Sequence, residues 1–532
     1  MQRISRSTWI VLLAAVLLPL VSMIIVPFYD TSEPRYAEIA RIMAQSDDWI
    51  TPWFSPELPF WGKPPLSFWA QALSMKLFGF TEFAARFPSW LCLILSNAIL
   101  LAGLRLIHGS RVALLAAIVY STCLLVYISS GAVLTDPFLA LGTTLSLVSF
   151  AVVVHEPEQR VAGTGNPVGK SAGVGPARGS VWWQYGFFLG LAVGLLAKGP
   201  LAAVLSFAPI AVWYLLNRRR GSLVSALPWA KGLALVAAIS LPWYVVAEIK
   251  TPGFLDYFIV GEHFRRFLDP GWKGDLYGTA HKQAYGTIWL CWLQASFPWG
   301  IMVLATFVGA FVSMRLRSAV RIASTTSLFY YWLAGAVVTP LFFTFSANIL
   351  WTYVLPSLAG FSVLTAILAD HIYRQLGLSR RGFLITAGIV PVAVLVLSAV
   401  VWANPNLGNT ERELIRYARQ DGNFTIPLVY LSKIPFSAQF YSAGRAREIQ
   451  QSDLGNAIKC GTPFYLAIPK ERQSIVAKMT SKPLIALYSN KRYILVKISP
   501  LSNCSAQVIA KQKPISLQLK HLPSNEGSII IN

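Results

Sequence analysis

The chain has 532 residues, of which 55% are hydrophobic and only 13% are charged, and its formal net charge is +22. A mean hydropathy of +0.53 over this length is typical of a protein that crosses a membrane many times. This composition excludes an ordinary soluble domain. Part of the excess of basic residues lies in a C-terminal segment that the topology below places outside the cytoplasm, so a nucleic-acid partner is not expected.

Eleven apolar runs approach the ~20 residues that a helix needs to cross ~30 Å of hydrocarbon. They are 9–27, 88–107, 112–128, 137–154, 181–197, 199–217, 232–247, 285–313, 325–345, 350–369 and 382–402. The chain is therefore predicted to be a polytopic α-helical membrane protein with about 11–13 transmembrane helices. Lys and Arg are concentrated in alternate loops, which places the N-terminus in the cytoplasm and the C-terminal segment outside it.

The first outer loop, 28–87, contains two predicted helices. One is amphipathic and runs from Arg35 to Met43, with Glu38 spaced three residues from an arginine on either side. These opposite charges are expected on its polar face. The other, from Phe68 to Phe78, is apolar and rich in aromatic residues, as helices at a membrane surface often are.

Two further loops differ in character. Residues 155–180 are polar and rich in glycine, and they predict a flexible cytoplasmic loop without a phosphate-binding fingerprint. The second outer loop, 248–284, is densely charged, which suggests a binding surface.

From about residue 405 the composition changes to short β-rich runs that alternate with helical segments. The strands are expected at 426–431, 464–468, 484–487 and 493–498, and the helices near 435–443 and 470–479. This alternation predicts a small C-terminal α/β domain, so that 1–404 form the membrane domain and 405–532 an extracytoplasmic one. Cys460 and Cys504 both lie there, where an oxidising compartment would allow a disulfide or leave two free thiols.

Ionisable residues recur where the chain meets the membrane boundary. Asp30, Glu33, Arg35 and Tyr36 follow the first span, where Asp30 could either cap the next helix or handle a charged substrate. Lys63 precedes two prolines, which restrict the backbone there to an extended conformation. Its ammonium group could bind a phosphate, or it could be a solvated lysine in a turn.

The later spans carry a second set of such residues. Asp136 begins a span, where an acid is costly unless it caps the helix, is paired or has a function. Lys198 separates two spans with almost no loop and should meet a carboxylate or phosphate unless it snorkels. Glu262, His263, Arg265 and Arg266 are nearly consecutive in the second outer loop, and arginine matches phosphate oxygens well. Tyr353 places a hydroxyl near the start of another span.

Taken together, these motifs resemble the lipid A aminoarabinose transferase and protein O-mannosyltransferase superfamily. The resemblance is carried by Asp30, Glu33, Arg35-Tyr36-Ala37-Glu38-Ile39-Ala40-Arg41, Asp48-Trp49, Lys63-Pro64-Pro65-Leu66, Glu82-Phe83-Ala84-Ala85-Arg86-Phe87-Pro88, Asp136, Ala197-Lys198-Gly199-Pro200, Glu262-His263, Arg266-Phe267 and Tyr353 to Pro356. It covers about residues 30–400 and holds the same order throughout.

The resemblance implies a GT-C fold and transfer of a sugar from a polyprenyl (undecaprenyl) phosphate carrier to an acceptor outside the cytoplasm. Close members modify lipid A with 4-amino-4-deoxy-L-arabinose, which makes lipid A or a similar glycolipid the expected acceptor at the outer face of an inner membrane. It implies catalytic roles for Asp30 and Asp136, donor-phosphate binding by Lys63, Arg265, Arg266 and Tyr353, and supporting roles for Glu33, Arg35, Tyr36, Lys198, Glu262 and His263.

The chain departs from the family pattern at two positions. Glycines stand at Gly62 and Gly261, where the family often has Glu and His that together are implicated in holding a metal ion. Glu262 and His263 remain possible ligands, but two neighbouring residues are no metal signature. A divalent metal is therefore not expected, and no other cofactor is predicted.

Two alternatives stay open on the sequence. The same chemistry could use a hexose or hexosamine, or a protein acceptor. A transporter or flippase for a lipid-linked sugar is less favoured, because transporters place ionisable residues near the bilayer midplane, whereas here they lie at one boundary.

Overall fold

The structure is a computed structural model, and it describes residues 6–164, 178–216, 227–269, 272–278, 281–325, 328–346, 348–376, 380–420, 425–459, 462–480 and 483–500. The chain divides into two compact units. We call Met1–Met23, Trp61–Ser67 and Arg86–Val396 the helical unit. We call Ile24–Phe60, Phe68–Ala85 and Leu397–Asn532 the mixed unit.

Helices dominate the chain up to residue 403. The α-helices are α1 Arg6–Leu17, α2 Pro19–Ile25, α3 Ser32–Ser46, α4 Leu66–Phe78, α5 Glu82–Ile107, α6 Gly109–Thr122, α7 Leu124–Ser130, α8 Asp136–Thr164, α9 Arg178–Lys198, α10 Leu201–Leu216, α11 Trp229–Lys250, α12 Arg266–Leu268, α13 Thr287–Ala295, α14 Trp299–Val312, α15 Met314–Ser324, α16 Phe329–Phe343, α17 Ser357–Leu376 and α18 Arg380–Ala403. A π-helix, Asp256–Arg265, leads into α12, and a 3₁₀ turn, Trp351–Val354, precedes α17. The predicted outer-loop helices are confirmed as α3 and α4.

Among the described residues, five helices are long and apolar enough to cross a membrane, or up to eight if each bent pair of helices is one span. The fold class of a polytopic helical membrane protein is confirmed, whereas the count of about eleven spans stays a prediction. Part of the polar loop expected at 155–180 is helical, because α8 ends only at Thr164 and α9 begins at Arg178.

Two predicted spans bend sharply within the run. The run 112–128 bends by 70° between α6 and α7, where Cys123 has an extended backbone with φ −60° and ψ 132°. The run 285–313 bends by 105° between α13 and α14. Pro298 lies in that break and has no N–H to continue a helical hydrogen-bond ladder. The expectation of one straight helix is therefore wrong for both runs.

Close packing of α8 on α9 organises the centre of the helical unit. A Cβ atom added at Gly142 would lie 2.6 Å from the carbonyl oxygen of Gly190 and 2.8 Å from the backbone nitrogen of Gly194. Small residues let two helix backbones approach in this way. Around this contact a continuous apolar core includes Phe150, Phe187 and many other fully buried side chains.

The mixed unit contains the strands of the chain. A short antiparallel hairpin joins β1 Trp53–Ser55 to β2 Leu58–Pro59. The main sheet has β3 Leu428–Leu431, β4 Arg447–Ile449, β5 Phe464–Pro469, β6 Ala486–Ser489 and β7 Tyr493–Ile498, in the order β4-β3-β5-β7-β6. The first three strands in that order are parallel, and β7 is antiparallel to both of its neighbours.

Four helices accompany this sheet: α19 Arg412–Arg419, α20 Phe436–Tyr441, α21 Gln451–Lys459 and α22 Gln473–Met479, the last preceded by a 3₁₀ turn, Lys470–Arg472. All four predicted strands are present, while β4, α19 and α21 were not predicted. Cys460, Cys504 and the tail beyond residue 500 lie outside the described residues, so the disulfide stays a prediction.

The compact units do not follow the expected boundary at residue 404. The last segment of the mixed unit begins nearby, at Leu397, but most of the first outer loop belongs to this unit as well. The predicted ion pair within α3 forms between Glu38 and Arg41, yet both residues are 1% exposed instead of lying on a solvated face. The division into 1–404 and 405–532 stays a prediction.

Replacing Gly142 with Ala should destabilise the protein, because the added methyl group would meet backbone atoms of α9 that cannot move aside. We expect the midpoint of thermal unfolding in detergent to fall by about 4 °C or more. The matched control is Gly388→Ala in α18, where a Cβ atom would meet nothing within 4 Å. Equal midpoints for the two variants would contradict the close approach.

Candidate active site

The π-helix of the second outer loop carries the centre of the candidate site. Its residues Glu262 and His263 are followed by Arg266 at the start of α12. Glu262 and Arg266 are four residues apart and form an ion pair, with Arg266 Nη1 2.9 Å from Glu262 Oε1 and 3.1 Å from Oε2. Long π-helical segments are rare and are often found at functional sites.

Glu262 joins two cations that lie far apart in the sequence. Lys63 Nζ donates to Glu262 Oε2 over 3.2 Å and also to the carbonyl oxygen of Gly62. Arg266 Nη1 lies 3.5 Å from Asp275 Oδ2 as well. The side chains of Lys63, Glu262, Arg266 and Asp275 are 19%, 6%, 15% and 9% exposed, so the cluster is largely withdrawn from water.

The charge states within this cluster follow from its pairs. Burial raises the pKa of Glu262, but Lys63 and Arg266 outweigh it, so the pKa falls below the ordinary value. Burial alone would lower the pKa of Arg266. The electrostatic interactions with Tyr353, Glu262 and Asp275 outweigh this effect, so the pKa rises above its ordinary value. The carboxylate and the guanidinium are therefore both ionised at neutral pH.

A second ion pair joins the start of α8 to the end of α9. Lys198 Nζ lies 2.8 Å from Asp136 Oδ1, and the two side chains are 8% and 7% exposed. The ammonium also lies 4.8 Å from the ring centre of Tyr353. The expectation that Lys198 meets a carboxylate is confirmed.

The turn after α9 connects this pair to the π-helix. Gly199 has φ +74°, and a Cβ atom there would lie 2.7 Å from the ring of Phe258, so glycine is required. His263 reaches the same turn, with Nε2 3.1 Å from the carbonyl oxygen of Lys198 and Nδ1 2.8 Å from that of Phe258. Burial lowers the pKa of His263, which favours the neutral ring.

The residues at the two family metal positions do not fit a metal ion. Gly62 and Gly261 supply no side chain, and a Cβ atom at Gly261 would lie only 3.1 Å from the indole of Trp272. Glu262 is already bound to Lys63 and Arg266. Within the described ranges no three His, Cys, Asp or Glu side chains are grouped so as to hold a metal. Metal independence itself stays a prediction.

Asp30 belongs to the mixed unit and has partners there. Its Oδ1 accepts from the backbone N–H of Ser437 over 2.8 Å, and its Oδ2 accepts from the Ser437 hydroxyl over 2.6 Å and from Arg492 Nη2. The same Arg492 atom lies 2.8 Å from Glu411 Oε1. The side chains of Asp30 and Glu411 are 3% and 0% exposed.

The remaining predicted residues occupy less central positions. In the mixed unit, the Arg35 guanidinium lies 5.2 Å from the ring centre of Tyr36 and 6.0 Å from that of Phe436, and Glu33 is half-buried in the first turn of α3. Arg265 is exposed and forms no ion pair with any residue that the structure describes. The structure thus groups Lys63, Asp136, Lys198, Glu262, His263, Arg266 and Tyr353 in the helical unit and Asp30, Glu33, Arg35 and Tyr36 in the mixed unit. The catalytic and binding roles stay predictions.

Several residues of these clusters were not predicted. Asp275 was one acid among many in a charged loop, and the sequence offered no reason to single it out. Glu411, Ser437 and Arg492 lie in the C-terminal segment, where nothing links them to Asp30. For Glu411 a weak signal exists, since it begins a helix whose next turns are strongly amphipathic.

Glu411 predicts a pH dependence of stability. Burial raises its pKa to about 7, against the counteracting effect of Arg492. The folded chain therefore binds a proton that the unfolded chain releases near its ordinary value of 4.5. The free energy of unfolding should fall by about 2 kcal/mol between pH 5 and pH 8 and then level off.

The measurement is thermal unfolding of the purified protein at pH 5, 6.5 and 8. Glu411→Gln should flatten this dependence, because the amide does not titrate. The exposed Glu471→Gln should keep the wild-type profile. A Glu411→Gln profile as steep as that of the wild type would disprove this assignment.

Comparison with known proteins gives the same family as the sequence motifs. Residues 9–258 match the family of dolichyl-phosphate-mannose-protein mannosyltransferases. The chain is 31% identical over 382 residues to the undecaprenyl phosphate-alpha-4-amino-4-deoxy-L-arabinose arabinosyl transferase of Edwardsiella ictaluri, and 28% identical over 381 residues to that of Aeromonas salmonicida. Each match covers 70% of this chain and 62% of the relative, less than two thirds of the relatives' own length.

The fold also matches a solved structure. The crystal structure of ArnT from Cupriavidus metallidurans bound to undecaprenyl phosphate aligns with a TM-score of 0.71 at 17% identity, over 93% of this chain and 98% of that one. Its apo form aligns with a TM-score of 0.68. Residues 9–258 are thus similar to the dolichyl-phosphate-mannose-protein mannosyltransferase family, and the chain is similar in sequence to undecaprenyl phosphate-aminoarabinose transferases and shares the fold of the ArnT structure.

Proposed function

We propose that the protein is a membrane glycosyltransferase that moves 4-amino-4-deoxy-L-arabinose, or a related sugar, from undecaprenyl phosphate to lipid A or a similar glycolipid. The observation that carries the proposal is the buried cluster in which Glu262 holds Lys63 and Arg266 together. Two cations kept in place at low exposure are suited to an anionic phosphate. The names of the relatives supply the identity of the carrier and of the sugar.

Lys63 and Arg266 would act on the leaving group. When the bond between the sugar C1 and the phosphate oxygen breaks, the electron pair stays on that oxygen and the carrier leaves as a phosphomonoester. Lys63 and Arg266 stabilise this growing charge, and their shared carboxylate keeps them oriented before the donor arrives. Tyr353, beside Lys198, adds a hydroxyl that can donate to a phosphate oxygen.

An acceptor group that is already ionised fits this site best. Asp136 is paired with Lys198, and Asp30 is paired with Arg492 and Ser437, so both carboxylates predicted to be catalytic are bound to a cation. A phosphate oxygen of lipid A attacks the sugar without a base, whereas a protein hydroxyl would need one. This supports a glycolipid phosphate over a protein acceptor.

The location follows from the same reaction. We place the protein in the inner membrane, with the N-terminus in the cytoplasm and the C-terminal domain in the periplasm, since Lys and Arg are concentrated in the loops that this topology puts inside. The donor, the acceptor and the surrounding lipids are the expected partners, and no metal takes part.

Lys63→Ala should lower transfer by about 100-fold or more while the protein still inserts and folds, because the leaving phosphate loses a positioned cation. Arg266→Ala should have a similar effect. The measurement is single-turnover transfer from defined undecaprenyl phosphate sugars to lipid A in proteoliposomes, read by mass spectrometry.

The matched control is Lys273→Ala, which removes an exposed lysine of the second outer loop and should leave the rate unchanged. Wild-type rates for Lys63→Ala and Arg266→Ala would reject this site. Movement of the sugar across the bilayer without covalent transfer would reject the enzyme in favour of a transporter.

A further inference from the structure

Residues 28–30 are held on several sides by the C-terminal part of the mixed unit. The backbone N–H of Phe28 donates to the Tyr441 hydroxyl over 2.8 Å, and that of Asp30 donates to the carbonyl oxygen of Asn409 over 2.9 Å. The Phe28 ring also packs against Phe440, with ring centres 4.9 Å apart. This segment begins the first outer loop, so its position is fixed by residues some 400 positions later in the chain.

The Asp30 carboxylate is the most strongly bound group of this segment. Three donors reach it, namely the backbone N–H and hydroxyl of Ser437 and the guanidinium of Arg492. Hydrogen bonds that involve an ionised partner are about twice as strong as neutral ones. With 3% of the side chain exposed, no solvent reaches the remaining lone pairs to any extent.

This arrangement differs from what a general base needs. A base must have an open lone pair within hydrogen-bond reach of the proton that it removes. We propose instead that Asp30 is an anionic anchor, and that Ser437 and Arg492 are positioning residues that fix the first outer loop through it. The anchor is inferred from these contacts alone. Only its expected effect on sugar transfer depends on the proposed function.

The environment of Arg492 supports this assignment. Glu411 shares Arg492 with Asp30, so two acids compete for one cation. Glu411 has other donors, Asn490 Nδ2 at 2.8 Å and the Tyr430 hydroxyl at 3.3 Å. Burial raises the pKa of Glu411 to about 7, so near neutral pH its negative charge is partly neutralised, which weakens its competition for the guanidinium.

The anchor has a consequence for the reaction through chain continuity. Asp30 lies two residues before α3, and Lys63 lies in the same outer loop beyond the β1–β2 hairpin. A loop with a fixed start samples fewer conformations, which narrows the range of positions that Lys63 takes while it is paired with Glu262. Weakening the anchor should therefore slow transfer moderately, without removing any group that contacts the substrate.

A double-mutant cycle on the full-length protein tests the anchor. The variants are Asp30→Asn, Arg492→Gln and the double variant, with Arg492→Lys as the conservative rescue and the adjacent, exposed Lys491→Gln as the control. Should Arg492→Gln not accumulate, Ser437→Ala replaces it in the cycle. The readouts are the midpoint of thermal unfolding, and kcat and KM for an undecaprenyl phosphate sugar at a temperature where every variant is folded.

We expect each single variant to lower the midpoint by about 3–6 °C and the double variant to lower it by clearly less than the sum, because both changes remove the Asp30–Arg492 pair that the two residues share. Both singles should lose kcat by the same factor, about tenfold, with the donor KM within about twofold. Arg492→Lys should recover most of the loss, and Lys491→Gln should match the wild type.

Two results would overturn the anchor. One is a loss of kcat of about 100-fold or more in Asp30→Asn, with an unchanged midpoint, while Arg492→Gln keeps the wild-type rate, as for a general base. The other is an additive lowering of the midpoint in the double variant. If the wild type transfers no sugar from any donor, the proposed function fails, and the midpoints alone then decide on the anchor.

Discussion

The ion pairs between Glu262 and its two cations are the contacts on which the candidate site depends. A single buried carboxylate receives hydrogen bonds from Lys63 and Arg266, two side chains from different outer loops. Removing one member of such a buried group leaves the others uncompensated, which is costly. The arrangement therefore keeps both cations in place without a substrate, as hydrogen-bond donors oriented for an incoming phosphate.

Two further groups of ionisable residues are also joined by ion pairs. Lys198 sits in a turn with almost no loop, and the carboxylate of Asp136 neutralises it at 2.8 Å. In the mixed unit, Arg492 neutralises Asp30 and Glu411 together. Burial strengthens the attraction within each pair, and it also makes an unpaired member costly. Sequence-distant segments are thus joined by electrostatics as well as by packing.

Local patterns predicted much of this architecture. The apolar runs gave the helices, the alternation after residue 405 gave the strands, and Lys198 in a tight turn predicted its carboxylate partner. Pairings between distant segments could not be predicted, because Asp30 lies 407 residues from Ser437 and 462 from Arg492. The bend at Cys123 could not be predicted from the sequence either, since no proline or glycine lies there. Spacing along the chain carries no information on such contacts.

Trp272 and Gly261 occupy neighbouring space in this loop, and this has a consequence for redesign. A Cβ atom at position 261 would lie 3.1 Å from the indole, so any side chain there requires the ring to give way by a few tenths of an ångström. An imidazole at position 261 therefore depends on the residue at 272 as well. A smaller side chain at 272 would provide room that the tryptophan now fills, so the two positions are best exchanged together.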